Sequence, residues 1–183
     1  TAFTADGRAV RTTGFGGCAW TVPLDGEPTA ITDLPGAAHL VESASGQWLA
    51  VANQTCTRLA IFDTHTGRCS RVFEGLPEMR ALQAAFSPDE THLAVVRKDT
   101  QSEGLVVIEV DGSGAVALDS PTPPRSQLLA FAWLDDDRIL AACCNAPNRV
   151  WTLSDRSSHT HVVDHNFPTV HPGCGPGRVA LCN

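Results

Sequence analysis

Tyrosine is missing from this 183-residue chain, and methionine occurs once. Positive charge is scarce: 13 Lys and Arg stand against 20 Asp and Glu, giving a formal net charge of −7. That balance argues against a broad phosphate-binding face, and so against nucleic acid as a partner. Long apolar runs are missing as well. The stretch around Leu128–Leu134 is among the longest and falls far short of a membrane span, so no membrane partner is expected. No two of the seven cysteines (Cys18, Cys56, Cys69, Cys143, Cys144, Cys174, Cys182) stand as C-x-x-C, which argues against a zinc ribbon or a thioredoxin-like site. A secreted disulfide scaffold is normally shorter and denser in cysteine, so reduced thiols and a cytoplasmic location are expected. The sequon Asn53-Gln54-Thr55 pulls toward a secreted or periplasmic alternative. No serine sits in G-x-S-x-G, and no Ser-His-Asp set is suggested by spacing, so no catalytic residues are assigned and no enzyme is expected.

What is present is material for turns and a core. Fifteen Gly and twelve Pro suggest many turns and few long helices, and 43% apolar residues suffice for a packed interior. The stretch "AFSPDETHLAVV", residues 85–96, shows the pattern: apolar residues, a polar turn, apolar residues again. It has relatives in "TADGRAVRT" from Thr4, "SASGQWLAV" from Ser43, "LDDDRILAA" from Leu134 and "GCGPGRVAL" from Gly173. Aligned on one residue of each turn, these units place Gly7, Gly46, Glu90, Asp137 and Gly177 at steps of 39, 44, 47 and 40. A second landmark keeps step: "AWTVPLDGE", "LAIFDTHTG", "VVIEVDGSG" and "RVWTLSDRS", each followed by a further short strand. Recurrence near 40 residues with four short strands per unit is the period of a propeller blade. The fold class expected is all-β: a β-propeller of four-stranded antiparallel blades, about four and a half of them, over 1–183. The units fall near 3–34, 38–76, 81–120 and 127–166, with a partial unit at 168–183. Because propellers close on themselves, the chain is expected to be part of a larger ring, with remaining blades from further chain or from a second chain. "LAVV" at 93–96 and "ILAA" at 139–142 read as doubly covered strands, with Val95 and Leu140 in the core.

The chain resembles the WD-repeat and TolB-like β-propeller families. Ser87-Pro88-Asp89 matches their "SPDG"-type turn, and Phe62-Asp63 in "IFDTHTGRCSRVFEG" sits where a Trp-Asp pair is usual. The departures are that no Gly-His dipeptide precedes a blade and one blade keeps the Asp of the pair. The resemblance implies a non-catalytic scaffold that presents loops and rim to a protein or peptide partner. It leaves two alternatives: an accessory or gating propeller of a larger enzyme such as a serine peptidase, and a TolB-like ligand-binding propeller.

Each candidate site competes with a structural role. Asp135, Asp136 and Asp137 could hold a divalent cation, but the repeat places them in a first turn and the spacing of a calcium loop is absent. His159, His161, His165, His171 and Cys174 carry zinc-type donors, yet no second compact ligand pair accompanies them, so no metal or other cofactor is assigned. Cys143 and Cys144 would send their thiols to opposite faces of a strand. "GFGG" at 14–17 reads as a turn between two strands rather than a phosphate loop. Trp20 and Trp151 fall at matching positions and read as packing residues.

Overall fold

The structure is a computed structural model. It describes residues 2–4, 6–14, 18–32, 34, 36–74, 83–98, 103–118, 127–144, 147–161, 169–172 and 179–182. All regular structure there is β, so among the described residues no helix is long and apolar enough to cross a membrane. The first sheet comprises β1 (Ala2–Phe3), β2 (Ala9–Thr13), β3 (Ala19–Pro23) and β4 (Thr29–Thr32). The second comprises β5 (Ala37–Glu42), β6 (Trp48–Asn53), β7 (Arg58–Asp63) and β8 (Cys69–Glu74). The third comprises β9 (Ala84–Phe86), β10 (His92–Lys98), β11 (Glu103–Glu109) and β12 (Ala115–Leu118). The fourth comprises β13 (Gln127–Trp133), β14 (Arg138–Cys144), β15 (Asn148–Thr152) and β16 (Ser157–His161). A two-stranded sheet of β17 (Thr169–Pro172) and β18 (Val179–Cys182) follows. Every pairing joins consecutive strands and is antiparallel, so each sheet is a meander. The first strands β5, β9, β13 and β17 lie beside one another in series, so the sheets fan out from a shared inner edge. These are blades of a propeller, the architecture the repeat implies.

Period-two alternation explains the core. Leu49, Val51, Ala60 and Phe62 turn one face of the second blade to Ala19 and Leu34 of the first. Ala50, Ala52, Leu59 and Ile61 turn the other face to the third. With both faces covered, β6 and β7 are each buried over four consecutive residues, which is why they read as continuous apolar runs. Fourth strands take the outer edge: β8 is exposed at five of six positions.

Val95 is in the core at 2% exposure, as expected. Leu140 is not. Its neighbours Ile139 and Ala141 are fully buried against the third blade, whereas Leu140 takes the opposite face of β14 and is half-buried. Trp151 is packed in the main cluster. Trp20 is half-buried on the face of β3 turned away from the second blade, so the matched tryptophans do not have matched surroundings.

The first turns are built alike in three blades. Thr4, Ser43 and Ser87 each accept, through the side-chain oxygen, the amide hydrogen of the residue five positions on, at 3.0, 3.1 and 3.0 Å. The fourth residue of each turn adopts a left-handed backbone: Gly7 at φ 68°, Gly46 at 78° and Glu90 at 61°. The fourth blade differs. Its turn is one residue shorter, closing from the Leu134 amide to the Arg138 carbonyl, so Asp137 does not share that conformation.

Candidate functional site

The first turns and the turns between third and fourth strands lie at one end of the blades. Acidic side chains gather there and first act as turn organisers. Asp63 Oδ1 accepts the His65 and Thr66 amides at 2.9 Å each. Asp135 accepts the Asp137 and Arg138 amides and pairs with the Arg138 guanidinium at 2.5 Å. The Thr66 amide holds the Asp63 carboxyl below the usual carboxylate range, and the Arg138 side chain does the same for Asp135. The Thr4 hydroxyl lowers Asp6, and the Ser113 hydroxyl lowers Asp111. Among the described residues, no group of three His, Cys, Asp or Glu side chains is placed to hold a metal ion. Asp135–Asp137 form a structured turn.

Side chains in these turns also tie one blade to the next. Arg11 of the first blade reaches Glu42 of the second at 2.5 Å, with both side chains about nine-tenths buried. Glu90 of the third blade returns to the second: its carboxylate accepts the Ser45 amide and hydroxyl at 2.6 Å each and the Ser43 hydroxyl at 2.9 Å. Partial burial pushes the Glu90 carboxyl up, but these donors outweigh it and hold it below the ordinary value. Asp136 of the fourth blade accepts the Asp89 amide at 2.9 Å. Trp133 donates its indole hydrogen to the Ala85 carbonyl at 2.9 Å.

Between these ties lies a cleft of about 460 Å³ on the second and third blades. Among the described residues that line it, Trp48 gives it an apolar surface, and Asp89, Glu90, Glu109 and Asp111 bring four carboxylates, with Gln47, Thr91, His92 and the buried Val110 beside them. A smaller cleft of about 320 Å³ adjoins it toward the fourth blade, lined among others by Asp136, Asp137, Leu153 and Arg156. His92 and Glu109, cross-strand partners on β10 and β11, line both. His92 also faces the Trp133 ring, with centroids 6.3 Å apart.

One constellation here has the residue types of nucleophilic catalysis. Thr91 Oγ1 lies 2.7 Å from both Asp89 Oδ2 and His92 Nδ1. The order is wrong for a triad, in which the imidazole stands between carboxylate and hydroxyl. Here the hydroxyl stands between the other two, and its one hydrogen goes to the carboxylate or to the ring. The set holds the turn together.

Of the histidines and cysteine singled out from the sequence, His159 and His161 lie in β16, paired with Val150 and Asn148, and His171 lies in β17, paired with Ala180. His159 is exposed. The side chains of His161 and His171 lie outside the described residues, as do His165 and Cys174. Gly14 and Cys18 bracket the turn between β2 and β3, the Gly14 amide donating to the Cys18 carbonyl at 3.1 Å, so the "GFGG" segment joins two strands. Cys18, Cys56 and Cys69 are free thiols. The sequon residues have a local role: Asn53 Oδ1 accepts the Arg58 amide and Nδ2 donates to the Thr57 hydroxyl, both at 3.0 Å.

No family model and no curated protein matches the chain. Solved structures do. The β-propeller domain of Myceliophteria thermophila Cps50 (Swd1) is similar at TM-score 0.66 and 16% identity, over 92% of this chain and 56% of that one. Kluyveromyces lactis Hsv2 is similar at 0.55 and 18%, over 78% and 53%. Kuenenia stuttgartiensis hydrazine synthase is similar at 0.64 and 12%, over 93% and 51%. The chain thus spans about half the length of the structures it matches. At these identities the likeness carries the propeller fold and is silent on activity.

Proposed function

We propose that this chain is a non-catalytic interaction propeller whose turn-bearing end docks a protein or peptide partner. The carrying observation is the cleft on the second and third blades. Its apolar surface is open, and its walls are fixed in advance by the Glu90–Ser45 and Asp89–Asp136 ties, so little ordering is needed on binding. A cytoplasmic location belongs to the same proposal. It is supported by the odd count of seven cysteines without C-x-x-C and by the local hydrogen bonds that engage the Asn53 side chain.

The test is selection of a displayed peptide library against the folded chain. Selected peptides are expected to lose binding to Gln47→Arg, at the cleft, and to keep it with Val72→Ser on the outer strand of the same blade. A selection that yields no cleft-dependent peptide overturns the reading. Titration of thiols in protein taken directly from cells checks the location, since oxidised pairs would exclude the cytosol.

A further inference from the structure

We propose that the cleft on the second and third blades receives a cationic side chain, an arginine or lysine, from an extended segment of a partner protein. This rests on the interaction reading above and names the chemistry of its occupant. The cleft has two parts suited to one such side chain. The Trp48 indole offers apolar surface to an aliphatic stem, and the carboxylates offer charge to its head.

The carboxylates are not equivalent. Glu90 spends both oxygens on Ser43 and Ser45, and Asp89 uses Oδ1 for the Ser87 hydroxyl and the Thr91 amide while its Oδ2 lies against the Thr91 hydroxyl. Asp111 uses Oδ1 for the Ser113 amide, and the one hydrogen of the Ser113 hydroxyl lies between Asp111 Oδ1 and Glu109 Oε2. Among the described residues, Asp111 Oδ2 and Glu109 Oε1 take no hydrogen-bond donor. These two oxygens, held by one turn, are acceptors left for a ligand, and two acceptors two residues apart suit a guanidinium or an ammonium.

The charges around the cleft favour that occupant. Among the described residues that line it, none is Lys or Arg, and four carboxylates stand against one histidine. Arg71, on the outer strand of the second blade, stacks on Phe73 with its guanidinium carbon 5.3 Å from the ring centroid, and it contributes to lowering the Asp111 carboxyl. A guanidinium near Asp111 and over an aromatic ring is thus already one of this surface's own contacts. Arg156 lines the adjoining cleft and not this one. A divalent cation is the poorer occupant, because no three ligand side chains converge among the described residues. An anionic surface, whether nucleic acid or lipid, would meet the four carboxylates.

The test uses four acetylated, amidated pentapeptides, Gly-Ala-X-Ala-Gly, with X as arginine, lysine, citrulline or glutamate. The readout is the Trp48 indole N–H resonance of the folded chain, assigned with Trp48→Phe. The arginine and lysine peptides are expected to shift it. Citrulline, which keeps the shape and loses the charge, is expected to bind about tenfold more weakly, and salt is expected to erode the difference. Glu109→Gln with Asp111→Asn, which preserves the turn's Oδ1 acceptor, should remove the arginine response. Asp155→Asn, on the fourth blade and in neither cleft, should leave it intact and shows whether bulk charge alone is at work. Equal shifts from citrulline or glutamate would overturn the cationic assignment while leaving peptide docking in place. Silence of Trp48 to the arginine and lysine peptides would also overturn it, and the library selection then judges docking separately.

Discussion

Glu90 offers the most direct perturbation of the way the blades are joined. It holds φ 61° where the matching turns have glycine, and a left-handed backbone costs a residue with a Cβ about 1–2 kcal/mol. Its carboxylate accepts three hydrogen bonds from Ser43 and Ser45 on the neighbouring blade. Bonds to a charged group contribute about 1.5–3 kcal/mol when shielded, but this site is partly open to water, so about 1 kcal/mol each is the better figure. Glu90→Ala keeps the strain and loses the bonds, so it should destabilise by about 2–3 kcal/mol. Glu90→Gly loses the same bonds and relieves about 1 kcal/mol of strain, so it should cost about 1–2 kcal/mol. Urea unfolding followed by tryptophan fluorescence reads both, with an unchanged denaturant slope as the condition for comparing them. The pH dependence has a definite sign. The Glu90 carboxyl is held below its ordinary value of 4.5, so its contribution is fully present above that pH and is lost as pH falls through the lower folded value. The gap between Glu90 and Glu90→Ala should therefore close in acid. Glu90→Gly as stable as the parent at neutral pH would refute the reasoning, since the carboxylate would then contribute nothing across the junction.

Other substitutions separate the two faces of a blade and the fates of the thiols. Ile139→Ala, at a fully buried position against the third blade, should cost about 2–5 kcal/mol, and Leu140→Ala clearly less; equal costs would contradict the face assignment. Trp133→Phe removes the indole donor to the Ala85 carbonyl and should cost about 1–2 kcal/mol, with faster amide exchange in β9 as the local sign; unchanged exchange there would show the bond is not made in solution. Burial raises the thiol pKa of both Cys56 and Cys69, but Cys56 is fully buried and Cys69 is exposed. Under native conditions a thiol reagent should modify Cys69 and reach Cys56 only on unfolding, and peptide mapping that finds Cys56 labelled early would contradict its place in the core.

The blades could be read from sequence because what defines them is local. A hydroxyl five residues before its amide partner, a left-handed fourth residue and a two-residue alternation all lie within one turn and its strand. The same locality leaves Leu140 undetermined by sequence. Alternation says that Ile139 and Leu140 face opposite ways, but which face is better covered depends on sheets elsewhere in the chain. The cleft was not legible either. Trp48 comes to it from the second blade and Asp111 from the third, and nothing local to either residue announces the other.

Even so, the repeat contained one usable signal for the inter-blade ties. Glu90 bonds to Ser45, and Asp136 to Asp89, at separations of 45 and 47 residues, about one repeat. In a solenoid-like array, equivalent turns of successive units are neighbours, so a contact across a junction appears as a coupling between matching positions one period apart. A residue with a Cβ in a column otherwise held by glycine carries a backbone cost that its side chain must offset. In a ring of blades, the nearest place to offset it is the same turn of a neighbouring unit. Glu90 stands in such a column between Gly46 and the shortened turn at Asp137, and its carboxylate goes to that place.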